Sequence, residues 1–244
     1  MTEPSNPSTV GRAIGADPPP KRDLRVVHGD ATRKRIMDTA MDLASTEGLE
    51  ALTIGRLATD LGMSKAGIFG HFGSKEALQL ATLEAAREVF LSEVVVGALS
   101  AEPGMPRLTA LSDAWLRYAE SSVFRGGCIF AGAAVEFDGR PGKVRDRIRE
   151  IVCEWVEGLA NVVREGQAAG NIDPAADPDQ VAFELNALEL GGNSGFQLFG
   201  GGPSLDRARA GIRDRLARLA VGPVAKARKA EKPSKAVKTK RRPS

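Results

Sequence analysis

The sequence predicts an all-α protein, a small N-terminal three-helix unit followed by a larger helical unit. Three observations carry this. Apolar residues recur at helical spacing through the body, residues 29 to 221, and no segment shows convincing strand alternation. Two short periodic segments between Thr53 and Gly70 are separated only by the residues around Gly62 and Met63. After Pro141 an unbroken stripe, Val144, Ile148, Ile151, Val152, Trp155, Leu159, Val162 and Val163, marks one long helix ending near Gly170.

The elements follow in order. Asp30 or Thr32 can cap a first helix whose apolar face is Ile36, Ala40, Leu43 and Ala44, with Gly48 as its stop. Thr53 stands as the N-cap of a second helix carrying Ile54, Leu57, Ala58 and Leu61, closed at Gly62. Ser64 can cap a third short helix running to about Gly70, and Lys75 begins a fourth after Gly73 or Ser74. Two short helices joined so tightly cannot pack antiparallel and must cross steeply. That is helix-turn-helix geometry, in which the second helix can enter the major groove of DNA.

The chemistry of "SKAGIFGHF", Ser64 to Phe72, agrees with such a role, because it has a lysine and a histidine and no carboxylate. The helix N-terminus presents free N–H groups and a positive dipole end to phosphates, and Lys65 adds charge there. Ala66 and Gly67 let the backbone approach base edges, Ile68 turns inward, and Phe69 and His71 lie toward the sugar-phosphate wall. A glycine-rich turn around a buried aromatic pair is the alternative for this nonapeptide taken alone.

The run from Arg33 to Ala86 resembles the DNA-binding domain of TetR-family transcriptional regulators. The residues that carry the resemblance are "A-x-x-L-A-x-x-x-G" from Ala40 to Gly48, "LT-x-x-x-LA-x-x-LG-x-S" from Leu52 to Ser64, and "F-x-HF-x-SKEAL" from Phe69 to Leu78. The resemblance implies a DNA-reading surface of Thr53, Lys65, Ala66, Gly67, Phe69, His71 and Lys75, with Ser64 at the head of the recognition helix and Lys75 on a phosphate. The family often has Tyr at the position of Phe69, so one phosphate hydrogen bond is missing here. It also implies a DNA-binding domain (29–91) and an effector-binding and dimerisation domain (92–221), which composition flanks with an arm (1–28) and a tail (222–244).

In the second half, "RLTALSDAWLRYAESSV" reads as a helix carrying Leu108, Leu111, Trp115 and Tyr118. The segment "GGCIFAGAAVEF" reads as a short helix almost free of charge and therefore buried. Two further helices lie in "DPDQVAFELNALELGGNSGFQLFG" and "SLDRARAGIRDRLARLAV", and the resemblance assigns the dimer interface to them. Gly191, Gly192 and Gly195 each cost the helix about 1 kcal/mol relative to Ala, which close helix approach would offset. The last helix bears a stripe of Leu205, Ala208, Ile212, Leu216 and Leu219, open to two readings: a partner subunit, or packing within the monomer. Phe90, Trp115, Tyr118, Phe130, Trp155 and Phe183 are candidates to line an effector pocket or are ordinary core. Asn186 and Glu189 sit among apolar neighbours, where buried polar groups need partners, in a ligand or across a dimer. The expected effector is small and largely apolar, and favours a state in which the recognition helices are wrongly spaced for DNA.

Composition sets the limits. From Gly222 to Ser244 nine Lys or Arg face one Glu, leaving 25 basic and 30 acidic groups in the rest of the 244 residues. The tail has too little apolar bulk to order itself. It either adds salt-sensitive contact to flanking DNA or only solubilises the chain. The proline-rich stretch before residue 29 reads as a disordered arm. There is no 18-residue apolar run and no signal-peptide pattern, which places the chain in the cytoplasm without a membrane partner. Cys128 and Cys153 have no metal-ligand spacing and read as reduced core residues, so neither metal nor cofactor is expected. With only His28 and His71, no nucleophile, base and orienting group come together, and no enzyme is expected. The partners that the resemblance implies are double-stranded DNA as a palindromic operator, a second copy as homodimer, and an effector. The rival is a nucleoid-associated protein that coats DNA through its tail.

Overall fold

The computed structural model describes residues 24–221 apart from Ser122. The described chain is helical throughout, the one pairing of extended backbone being an isolated bridge between Ile172 and Ala220. The elements are α1 (Leu24–Glu47), α2 (Ile54–Leu61), α3 (Lys65–Phe72), α4 (Lys75–Phe90), α5 (Met105–Glu120), α6 (Ile129–Phe137), α7 (Lys143–Ala168), α8 (Pro178–Leu198) and α9 (Ser204–Leu219).

The first four helices close around Ile36, Leu57, Ile68 and Leu78, each with no exposed surface. Burying such a side chain contributes about 1.5–3 kcal/mol, enough to hold helices of eight residues that would not persist alone. The local signals act as read. The hydroxyls of Thr53, Ser64 and Ser74 accept from the N–H groups of Arg56, Gly67 and Ala77, each at 3.0 Å, capping α2, α3 and α4. Gly62 takes φ 63°, the left-handed conformation that lets the chain reverse between α2 and α3.

Helix α4 leaves this unit, packs along α7, and continues as a π-helical turn over Leu91–Val96. Behind it α5, α7, α8 and α9 pack together, and α6 bridges α7 to α1.

Four expectations change. Helix α1 begins at Leu24, not after Asp30 or Thr32, so the assigned arm (1–28) overlaps it. Beyond Pro20 the only breaker is Gly29, which costs a helix interior only about 1 kcal/mol. The rest of the arm and the tail lie outside the described residues. Helix α6 is buried on one face only: Ile129, Phe130, Ala133 and Phe137 face in, while Val135 is 76% exposed. Cys128 is buried but Cys153 is exposed, because it falls off the inward stripe of α7. The α9 stripe is buried within the chain itself, chiefly against α8 and α5. A Cβ at Gly192 would come 2.7 Å from the Ala208 Cβ, and one at Gly195 would come 2.5 Å from the Ser204 hydroxyl. Those two glycines therefore serve the α8–α9 contact of one protomer, whereas a Cβ at Gly191 would meet nothing.

Candidate nucleic-acid interface and ligand cavity

On α3, Lys65, Ala66, Phe69, Gly70 and His71 are exposed, and Ile68 opposite them is fully buried. Phe69 is 55% exposed, unusual for an aromatic ring and suited to a surface that another molecule covers. Among the described residues Lys65 forms no ion pair. The Ser64 hydroxyl is occupied as a cap, and a Cβ at Gly67 would lie 3.2 Å from it, so Gly67 also makes room for the cap. Phe72 is half-buried, with the Arg33 guanidinium 5.2 Å from its ring centre. Lys75 is placed differently from the free phosphate contact expected: its ammonium bonds Glu50 at 2.6 Å, and Arg140 approaches the same carboxylate at 3.6 Å. Lys75 holds the Glu50 carboxyl below its ordinary value.

Beside the ion pairs of α7 with α4, Lys143 with Glu76 and Arg147 with Glu84, contacts of α6 and its preceding loop tie this unit to the helices behind it, and no local signal announced them. Glu136 of α6 accepts the N–H groups of Leu49 at 2.8 Å and Glu50 at 3.1 Å, just past the end of α1. In the loop before α6, Arg125 pairs with Asp42 of α1, and Gly126 lies so close that a Cβ there would overlap the Ser45 carbonyl.

A cavity of about 390 Å³ opens among α4, the π turn, α5, α6, α7 and α8. That is within the range of small-molecule sites. Phe90, Trp115, Phe130, Trp155 and Asn186 line it, together with Cys128 and the ion pair of Arg87 with Glu154 at 2.7 Å. Phe90 is the hub, with Tyr118, Phe130 and Trp155 edge-on around it at 5.5, 6.1 and 5.2 Å between ring centres. The π turn contributes Leu91 and Val95. Tyr118 stands behind the lining, packed on Phe90 and Phe124. Phe183 is outside the cavity and 63% exposed, because it precedes the buried Leu185 by two residues, about 200° around the helix.

Glu189 has no exposed surface. Its Oε2 accepts from the Trp155 indole N–H at 3.2 Å, while its Oε1 has no partner. Burial pushes the Glu189 carboxyl well above its ordinary range, against the opposing pull of the Trp155 bond. Burial likewise raises the Tyr118 hydroxyl and the Cys128 thiol. The Cys128 N–H donates to Asn193 Oδ1 at 3.2 Å, and the hydroxyls of Ser112 and Tyr118 lack a hydrogen bond of good geometry. Among the described residues no group of three potential ligands could hold a metal, and no helix is long and apolar enough to cross a membrane.

Comparison with known proteins gives a consistent result in both halves. The model of the tetR family of bacterial regulatory proteins matches residues 36–82, and that of the Tetracyclin repressor-like C-terminal domain matches residues 104–212. No curated protein matches the chain. Among solved structures, a TetR transcriptional regulator from Chloroflexus aurantiacus is 28% identical with a TM-score of 0.74, the match covering 80% of this chain and 98% of that one. A TetR-family regulator from Cytophaga hutchinsonii, 21% identical with a TM-score of 0.71 over 80% and 98%, shares the fold. A transcriptional regulator from Saccharomonospora viridis in complex with choline is 25% identical, with a TM-score of 0.68 over 79% and 99%.

Proposed function

The chain belongs to the TetR family of transcriptional regulators, and on that premise we propose that it is a homodimeric repressor. It binds a palindromic operator in the cytoplasm and leaves it when a small, largely apolar effector fills the cavity. Members of this family are DNA-binding transcription factors, not enzymes.

The observation that carries this is shared support. Helices α4 and α6 wall the cavity, and the same two helices hold the DNA-facing unit, α4 by continuity with α3 and α6 through Glu136. An occupant that binds one arrangement of these helices better than another shifts the placement of α3 by its difference in affinity. The choline complex of the Saccharomonospora viridis regulator supports a small organic molecule as the occupant. The second copy sits on the outward stripe of α8. There Phe183 and Leu198 are 63% and 77% exposed, Phe199 just beyond the helix end is 75% exposed, and Ala187, Gly191 and Ser194 lie between. Two recognition helices related by a twofold axis then read two half-sites.

Selection from random duplex DNA with the full chain tests the reading. Enrichment of a palindrome, with affinity falling about tenfold or more in Lys65→Ala and His71→Ala, is the expected outcome. Equal binding to every sequence would instead favour a coating protein driven by the basic tail.

A further inference from the structure

We infer that the cavity takes an organic monocation with an apolar body, an amine or ammonium ion, and that Glu189 is its counter-charge. This rests on the reading of the cavity as the effector site.

Glu189 is the one Asp, Glu, Lys or Arg that is fully buried among the described residues. Glu189 stands immediately behind the cavity wall: it is not itself on the lining, but its α8 neighbours Asn186 and Leu190 are, and so are Trp155, whose indole N–H it accepts, and Cys128. A carboxyl in this position needs a reason. A glutamine of nearly the same shape would accept the Trp155 bond without the cost of an ionisable group in a desolvated place. Among the described residues no Lys, Arg or His pairs with Glu189, and the two charged groups on the cavity wall, Arg87 and Glu154, neutralise each other.

The charge of the occupant then separates three cases. An anion would lie near the Glu189 carboxyl, in a cavity walled by the aromatic rings of Phe90, Phe130, Trp115 and Trp155. A neutral molecule would leave the carboxyl as it is. A cation gains from both features, since ring faces attract cations, most strongly when desolvated, and a carboxylate in a low-dielectric site attracts them further. Size agrees, because about 390 Å³ accommodates an aromatic ring bearing a substituted ammonium.

Charge balance makes the inference measurable. Burial behind the empty cavity favours the protonated form of Glu189. When the cation enters, the carboxyl O–H breaks, the proton passes to solvent, and carboxylate and cation remain as a pair. Affinity therefore rises with pH while the empty site is protonated, by at most about tenfold per pH unit, and levels off above that. The other groups facing Glu189 do not interfere. Tyr118 of α5 and Cys128 at the head of α6 are held neutral by burial, α7 presents Trp155, and α9 presents Leu205, Ala208 and Ile212 to α8.

The test is titration calorimetry of the full chain with benzyltrimethylammonium, with its uncharged carbon isostere neopentylbenzene, and with 3-phenylpropionate, in buffers of differing ionisation enthalpy. The cation is expected to bind at least about tenfold more tightly than the isostere, with close to one proton released per molecule. Glu189→Gln should lose the preference and the proton release and still bind the isostere. Should that variant not fold, proton release and pH dependence in the unaltered chain still decide. Equal or tighter binding of the isostere or the carboxylate, no binding of the cation, or cation binding without proton release would each overturn the inference. A chain that selects an operator and is released by the isostere but not the cation would keep the regulator and lose this ligand.

Discussion

Glu136 and Glu189 are both inward-turned carboxyl groups, and their surroundings treat them in opposite ways. Glu136 spends both oxygens on backbone N–H groups, whereas Glu189 has one neutral donor and one orphaned oxygen. The consequence for Glu189 has a definite sign. Its folded pKa lies above its unfolded one, so between the two values the native state binds the extra proton. Stability from this group is thus complete in acid and declines as pH rises from the ordinary carboxylate range toward the raised value, at no more than about 1.4 kcal/mol per pH unit. Glu189→Gln should flatten that decline and leave the empty protein more stable than the parent on the alkaline side. Urea midpoints of both proteins across neutral pH measure it, and parallel curves would show that Glu189 is not the titrating group. Its oddity was legible in sequence, because a glutamate among Leu185, Leu188 and Leu190 breaks a helix face. The role of Glu136 was not legible, since the groups it satisfies lie 87 and 86 residues away.

At the scale of elements the molecule depends on the seam between α6 with its preceding loop and the end of α1. Removing the Glu136 side chain leaves two partly buried N–H groups without their acceptor, at a cost of about 1–3 kcal/mol. Gly126→Ala should also be strongly destabilising, because its Cβ would overlap the Ser45 carbonyl and the backbone must move. Gly132→Ala on the outer face of α6 is the control. Its Cβ would meet nothing, so the gain in helix propensity should stabilise by about 0.5–1 kcal/mol. Chemical denaturation of the three variants reads the order, and a Glu136→Ala variant as stable as the parent would remove the seam from the account. Helices, caps and turns of the DNA-facing unit were legible because each is signalled within a few residues: Thr53, Ser64 and Ser74 cap, and Gly62 turns. The start of α1 and the π turn were not, because nothing local distinguishes them from an arm and from an ordinary helix. The outward face of α6 was missed for a different reason: low charge shows that a helix tolerates burial, not that every side of it finds a neighbour.

For the whole molecule, two surfaces decide what the fold can do. Sequence periodicity found the stripe of α9 but could not say whether it met a partner. Within one chain that stripe is already covered, so the outward side of α8 is the dimer contact we propose. Phe183→Glu and Leu198→Glu touch residues that the single chain leaves 63% and 77% exposed. Both variants should keep the helical content of the parent and sediment as monomers, with operator binding lost because one recognition helix reads too few base pairs. Dimers persisting in both would place the interface elsewhere. The second surface is the charge of the tail, residues 222–244, which lies outside the described residues. The remaining residues carry 25 basic and 30 acidic side chains, so their net charge does not attract DNA, and we propose the carboxylate-free α3 as the favourable contact. If the tail supplies the missing long-range attraction, deleting it should reduce the slope of log affinity against log salt by about 0.9 for each phosphate it neutralises. The ratio of operator to random-sequence affinity should change little, because phosphate contacts carry no sequence information directly. A slope unchanged by the deletion would leave the tail a solubilising segment. A slope and a specificity ratio that collapse together would mean that the tail, and not α3, is the principal DNA contact.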